Sequence, residues 1–139
     1  MGVFQIEQIK NQLDKILLKT QRPARYVGGE LNSVVKERSQ VDFRFAFCFP
    51  DTYEVGMSHL GMKILYAELN DMDGVWCERV FAPESDMEAL MRQNGIPLYG
   101  LESMDPIRGF DMIGFTLQYE LSFTNVLNML DLAGIPVHA

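Results

Sequence analysis

Two stretches of the chain gather residue types that could do chemistry. Asp51, Thr52, Tyr53, Glu54, Gly56, Met57, Ser58, His59 and Gly61 lie in one. Gln118, Tyr119, Glu120, Ser122, Thr124 and Asn125 lie in the other. An imidazole near a helix start could coordinate a metal, relay a proton, or cap the helix and pack, so His59 leaves three roles open. A zinc site would need further ligands, and no second His or suitably spaced Cys stands nearby, so no metal ligand set is read. Glu54 and Glu120 could face each other as a general acid and base if their environments pushed their pKa values apart; solvated surface positions are the alternative. Gly61 could admit a ligand or a neighbouring strand at close range. The spacing from Gly56 to Gly61 is not followed by Lys-Ser or Lys-Thr, and no Gly-x-Gly-x-x-Gly occurs, so the common nucleotide motifs are absent. No catalytic residue can be named.

Positioning these two stretches requires strands that end where they begin. Residues 41–49 are rich in Phe and Val and become apolar throughout from Phe45 to Phe49, as in a strand covered on both faces. Leu60, Ile64, Leu65 and Leu69 then predict a helix to about Asn70, and residues 75–81 a second strand. Ser85-Asp86-Met87-Glu88 fits a capping box opening a helix to Asn94, which Gly95 stops. Residues 97–101 read as a short strand and 110–117 as a buried one. A helix with Phe123, Val126, Leu127 and Leu130 on one face follows. Gly95-Ile96-Pro97 and Gly134-Ile135-Pro136 are read as two identical helix endings. The alternation predicts an α/β, Rossmann-like fold, a mostly parallel sheet with helices on both faces. If the strands ending at Phe49 and Leu117 are neighbours, the two polar loops face one another across a crevice.

Ahead of this unit, Phe4, Ile6, Ile9, Leu13, Ile16 and Leu17 predict an amphipathic helix ending before Arg22-Pro23. Gly28-Gly29 marks a turn in an extended arm. The expected domains are therefore residues 1–40, helix and arm, and residues 41–139, the Rossmann-like unit. The latter is expected to be cut short at its C-terminal end, since Gly134-Ile135-Pro136 leaves little room for another strand. A sheet edge left open in that way could recruit a second copy as a homodimer.

The chain has 139 residues and a net charge of −7, from 12 Lys and Arg against 19 Asp and Glu. That balance argues against a nucleic-acid partner, which demands clustered positive charge. No run is long and apolar enough for a membrane span. With only Cys48 and Cys77 there is neither a disulfide framework nor the thiolates for an iron-sulfur cluster. The absence of an apolar leader points to the cytoplasm, with both thiols reduced.

Long uninterrupted runs carry a resemblance. Arg22-Pro23-Ala24-Arg25-Tyr26-Val27-Gly28-Gly29-Glu30 and Asn32-Ser33-Val34-Val35-Lys36 are two of them. Phe49-Pro50-Asp51-x-Tyr53-Glu54-Val55-Gly56-Met57-Ser58-His59-Leu60-Gly61 is a third. Val80-Phe81-Ala82-Pro83 with Asp86-Met87-Glu88, the run from Phe110 to Ser122, and that from Thr124 to Pro136 complete them. Together they resemble the N-terminal region of a bacterial family of radical SAM proteins carrying a cobalamin-binding-like domain. The resemblance implies a Rossmann-like domain beside a radical SAM barrel of the same polypeptide. It also implies S-adenosylmethionine and a 4Fe–4S cluster held by that barrel and not by this chain. Cobalamin would sit at the crevice of Asp51, Tyr53, Glu54, Gly56, Met57, Ser58, His59, Gly61, Gln118, Tyr119, Glu120, Ser122 and Asn125. The Asp-x-His-x-x-Gly pattern of His-ligated cobalamin is not met, because Met57 stands two before His59 and Gly61 follows after one residue. A ligand-free scaffold that docks the barrel or a partner chain is the alternative reading.

Overall fold

Parallel strands form where apolar runs can be covered on both faces, and in the computed structural model three do so. β1 (Phe43–Phe49) lies centrally, β2 (Val75–Phe81) on one side and β3 (Met112–Phe115) on the other, giving the order β2-β1-β3. β1 pairs with β2 from Phe43↔Val75 to Phe49↔Phe81, and with β3 from Phe45↔Met112 to Cys48↔Phe115. The structure describes residues 2–138 without the side chain of Phe4, so the expected places of Phe4 on the first helix and of Ala139 lie outside the described residues.

One face of the sheet is covered by α1 (Val3–Leu17), α4 (Ser85–Asn94) and α5 (Ser122–Leu132). Leu13 and Ile16, Met87 and Met91, and Met129 and Leu132 from these helices meet Ala46, Cys48 and Val80 in the larger core. The opposite face carries α3 (Leu60–Asp71), whose Met62 and Tyr66 pack on Phe47, Phe49 and Cys77. The fold class expected from the sequence is thus observed, as is the docked N-terminal helix.

Four local expectations are corrected. The arm is not extended at its start: residues Pro23–Tyr26 form a 3-10 turn, and Gly28 and Gly29 follow with φ of 64° and 82°. No strand forms over residues 97–101; only an isolated bridge joins Tyr99 and Pro106, because Leu98 N–H goes to the end of α5 at Leu132 O and Leu101 N–H goes to Arg79 O. The capping box at Ser85 is not made. Glu84 is the cap residue without a side-chain bond, while Glu88 is drawn away to Arg92 and Asn128. The fourth correction concerns which faces of α3 and α5 are buried. Leu60, Ile64 and Leu65 are exposed while Met62, Tyr66 and Asn70 are buried, and Phe123 and Leu127 are exposed while Ser122, Met129 and Leu132 are buried. Asn70 explains part of the turn of α3: its amide bridges Tyr66 O, Cys77 O and Cys77 N–H, so a polar side chain occupies a core position fully satisfied.

Candidate functional site

The chain leaves β1 through α3 to reach β2, then crosses by α4 on the other face to reach β3 on the far side of β1. Successive connections therefore part between β1 and β3. In open α/β sheets that divide, at the carboxyl ends of the strands, is where ligands are bound. The two polar loops of the sequence meet there. Tyr119 hydroxyl donates to Asp51 Oδ2 at 3.2 Å, Asn125 Nδ2 donates to Pro50 O at 2.8 Å, and His59 Nε2 lies 3.2 Å from Gln118 Oε1. The Asp51 charge beside it holds the Tyr119 phenol above its ordinary pKa.

His59 is the cap of α3. Its Nδ1 accepts from Met62 N–H at 3.2 Å, satisfying one of the orphan donors of the first turn. Nε2 is then the protonated nitrogen and donates to Gln118, so neither ring nitrogen keeps a lone pair for a metal. Ser58, the residue before it, donates its hydroxyl to Glu54 O. Gly61 serves the same cap. A Cβ there would stand 3.0 Å from His59 Cε1, so the missing side chain makes room for the imidazole.

The other residues of the first loop go elsewhere. α2 (Tyr53–Met57) lies over the end of β2, and a Cβ on buried Gly56 would fall 2.1 Å from Phe81 Cε1. Glu54 is held by Arg25 Nε at 2.5 Å and Arg22 Nη1 at 3.6 Å. Burial disfavours its ionised form, but the Arg25 hydrogen bond, a backbone hydrogen bond and the charges of Arg25 and Arg22 together outweigh it and keep the carboxyl below the ordinary value. Glu120 is exposed and Ser122 buried. Among the described residues the partners of Glu54 are arginines, and it forms no hydrogen bond or ion pair with Glu120.

Tyr53, Met57 and the arm lead instead to a buried ionic cluster that the sequence reading missed. Arg79, on β2, donates Nε to Glu102 Oε1 at 2.6 Å and Nη2 to Glu30 Oε2 and Ser33 Oγ, both at 2.9 Å. Its guanidinium stacks 4.8 Å over Tyr66, whose hydroxyl donates to Glu102. Burial disfavours the ionised Glu30. Hydrogen bonds from Tyr53, its own backbone and Ser33, with the Arg79 charge, outweigh that and hold its carboxyl below the ordinary value. Burial and the Glu30 carboxylate push the Tyr53 phenol up to about 12. A second cluster joins Arg44, stacked between Trp76 and Phe110, to Glu78 and Asp105. The available signal was Glu78-Arg79 inside an otherwise apolar strand, since buried charges require partners.

What the switch point presents outward is apolar. Leu60 is 69% exposed and Leu121 78%, with Leu117, Tyr119, Phe123 and Leu127 also exposed around it. Thr116 Oγ1, just past β3, is buried there without a hydrogen-bond partner. No three His, Cys, Asp or Glu side chains come together as a metal would need among the described residues. Cys48 and Cys77 are free and buried. No described helix is long and apolar enough to cross a membrane.

No curated protein and no solved structure matches the chain. Residues 61–139, from the start of α3 through β3 and α5, match the family described as radical SAM proteins, N-terminal. More than half of the chain is covered, including both helices that flank the switch point, and the chain belongs to this family of radical SAM N-terminal domains.

Proposed function

We propose that this chain is the N-terminal domain of a larger radical SAM protein and that its switch-point face docks the cluster-bearing domain of the same polypeptide. The observation that carries this reading is the outward turn of two apolar stripes. Leu60, Ile64 and Leu65 on α3 and Phe123 and Leu127 on α5, on opposite faces of the sheet, have the spacing of core residues yet lie exposed, as do the loop residues Leu117 and Leu121 at the switch point. Where the two loops meet, Leu60, Leu117, Leu121 and Phe123 bring exposed apolar side chains to the switch point, and such a group marks an interaction site. Family membership implies S-adenosylmethionine and a 4Fe–4S cluster in the parent protein, and no described group of residues here offers them a ligand set.

Cobalamin at the same face is a second reading, favoured by an exposed apolar surface able to lie against a corrin ring. His59 does not fit as an axial ligand, because both its nitrogens are engaged. A corrin held here would rest on Leu60, Leu117 and Tyr119.

The test uses the longer polypeptide, cleaved by a protease engineered between the two domains. The halves should stay together on gel filtration and separate when Leu121→Asp and Phe123→Asp are introduced. Halves that part without any substitution would remove the docking reading. Titration with cobalamin, followed by absorbance, decides the second: no spectral change and no retained cofactor would eliminate it.

A further inference from the structure

A separate cavity lies away from the switch point, between the arm and α3. It has a volume of about 460 Å³ and is walled by Val34, Met57, Met62, Tyr66 and Ala67, with Arg79 contributing to its lining. That volume falls within the roughly 300 to 1,000 Å³ of small-molecule sites. Nothing in the docking reading uses it.

Arg79 is 6% exposed in its side chain, and its donors are unequally served. Nε and Nη2 meet the carboxylates of Glu102 and Glu30. Nη1 carries two N–H groups, and its acceptor is the thioether Met57 Sδ at 3.2 Å, a weak one. Its second N–H finds no acceptor among the described residues. A buried donor left in that state costs free energy until something accepts from it.

The charge around Arg79 decides what that something is. Two carboxylates already face a single guanidinium, so a further anion would meet Glu30 and Glu102 at close range. A cation would meet Arg79 and Lys63, and Asp71 adds a further carboxylate against an anion, so the charges lining the cavity oppose one another. We infer that this cavity binds a small uncharged molecule with an apolar body and one carbonyl-type acceptor, which Arg79 Nη1 takes while Val34, Met62 and Ala67 enclose the body. The chemical class is a ketone, ester or tertiary amide of modest size.

Three probes of one shape test this on the 139-residue protein by saturation-transfer NMR: cyclohexanone, methylenecyclohexane and cyclohexanecarboxylate. Cyclohexanone should bind about tenfold more tightly than methylenecyclohexane, which has the same outline without the acceptor. The carboxylate should bind more weakly than the ketone. Ala67→Phe should fill the cavity and abolish ketone binding while the melting curve keeps its single transition; Ala67→Leu, a smaller plug, replaces it if that variant fails to fold. Equal binding of methylenecyclohexane, tighter binding of the carboxylate, ketone binding that survives the plug, or no binding by any probe would each overturn the assignment.

Discussion

On the β3 side of the central strand, the switch-point face exposes leucines and a phenylalanine, and its polar groups bond to one another at the surface. On the β2 side, Arg79, Glu102, Glu30 and Tyr66 are packed into a charged cluster whose donors and acceptors are matched almost one to one. By residue type, the second region looks like the chemistry and the first like misplaced core. Their surroundings reverse that impression. Buried ion pairs hold the arm, α3 and the turn at Glu102 to β2, whereas exposed apolar side chains remain free to meet another surface.

Substitutions sharpen the contrast, beginning with the largest effect. Glu102→Ala would leave the Arg79 guanidinium buried with Glu30 as its remaining carboxylate and should cost about 3–5 kcal/mol in urea unfolding. Gly56→Ala drives a methyl group into the Phe81 ring where α2 crosses β2, and about 1–3 kcal/mol of destabilisation is expected from the same measurement. Acid should act through Glu30. Its folded pKa lies below its ordinary 4.5, so its contribution is fully present above that value and is lost as pH falls through the lowered one. The urea midpoint should therefore fall as the pH drops through and below 4.5, and Glu30→Gln should flatten that part of the profile. Leu121→Asp lies at the other extreme. In the 139-residue protein it should change stability by no more than about 0.5 kcal/mol, and a loss of several kcal/mol would place Leu121 in the core of the fold instead of on its docking surface.

The sheet, the helices and the meeting of the two loops were legible because period, turn residues and the rule for ligand sites in α/β sheets all act locally. Gly95 and Gly134 both take left-handed φ, 65° and 68°, as their repeated Gly-Ile-Pro setting implied. The helix faces were not legible. Hydrophobic spacing identifies an apolar stripe but not what covers it, and on α3 the buried row is Met62, Tyr66 and Asn70, one of them an amide. Nor was the Arg79 cluster, whose members come from the arm, β2 and the turn at Glu102, far apart in the chain and joined only by folding. His59 could be placed at a helix start by sequence, but its choice of capping over ligation depends on Met62 N–H and Gln118 lying within reach of its two nitrogens.

The central claim is that the switch-point face is covered by the cluster-bearing domain. Leu121→Cys puts a thiol on that face, while Cys48 is almost fully buried and Cys77, also buried, has its thiol pushed up to about 12. Maleimide labelling, mapped to residue 121 by mass spectrometry, should proceed at the rate of an open thiol in the 139-residue protein and about tenfold more slowly in the longer polypeptide. Equal rates in the two would contradict the account.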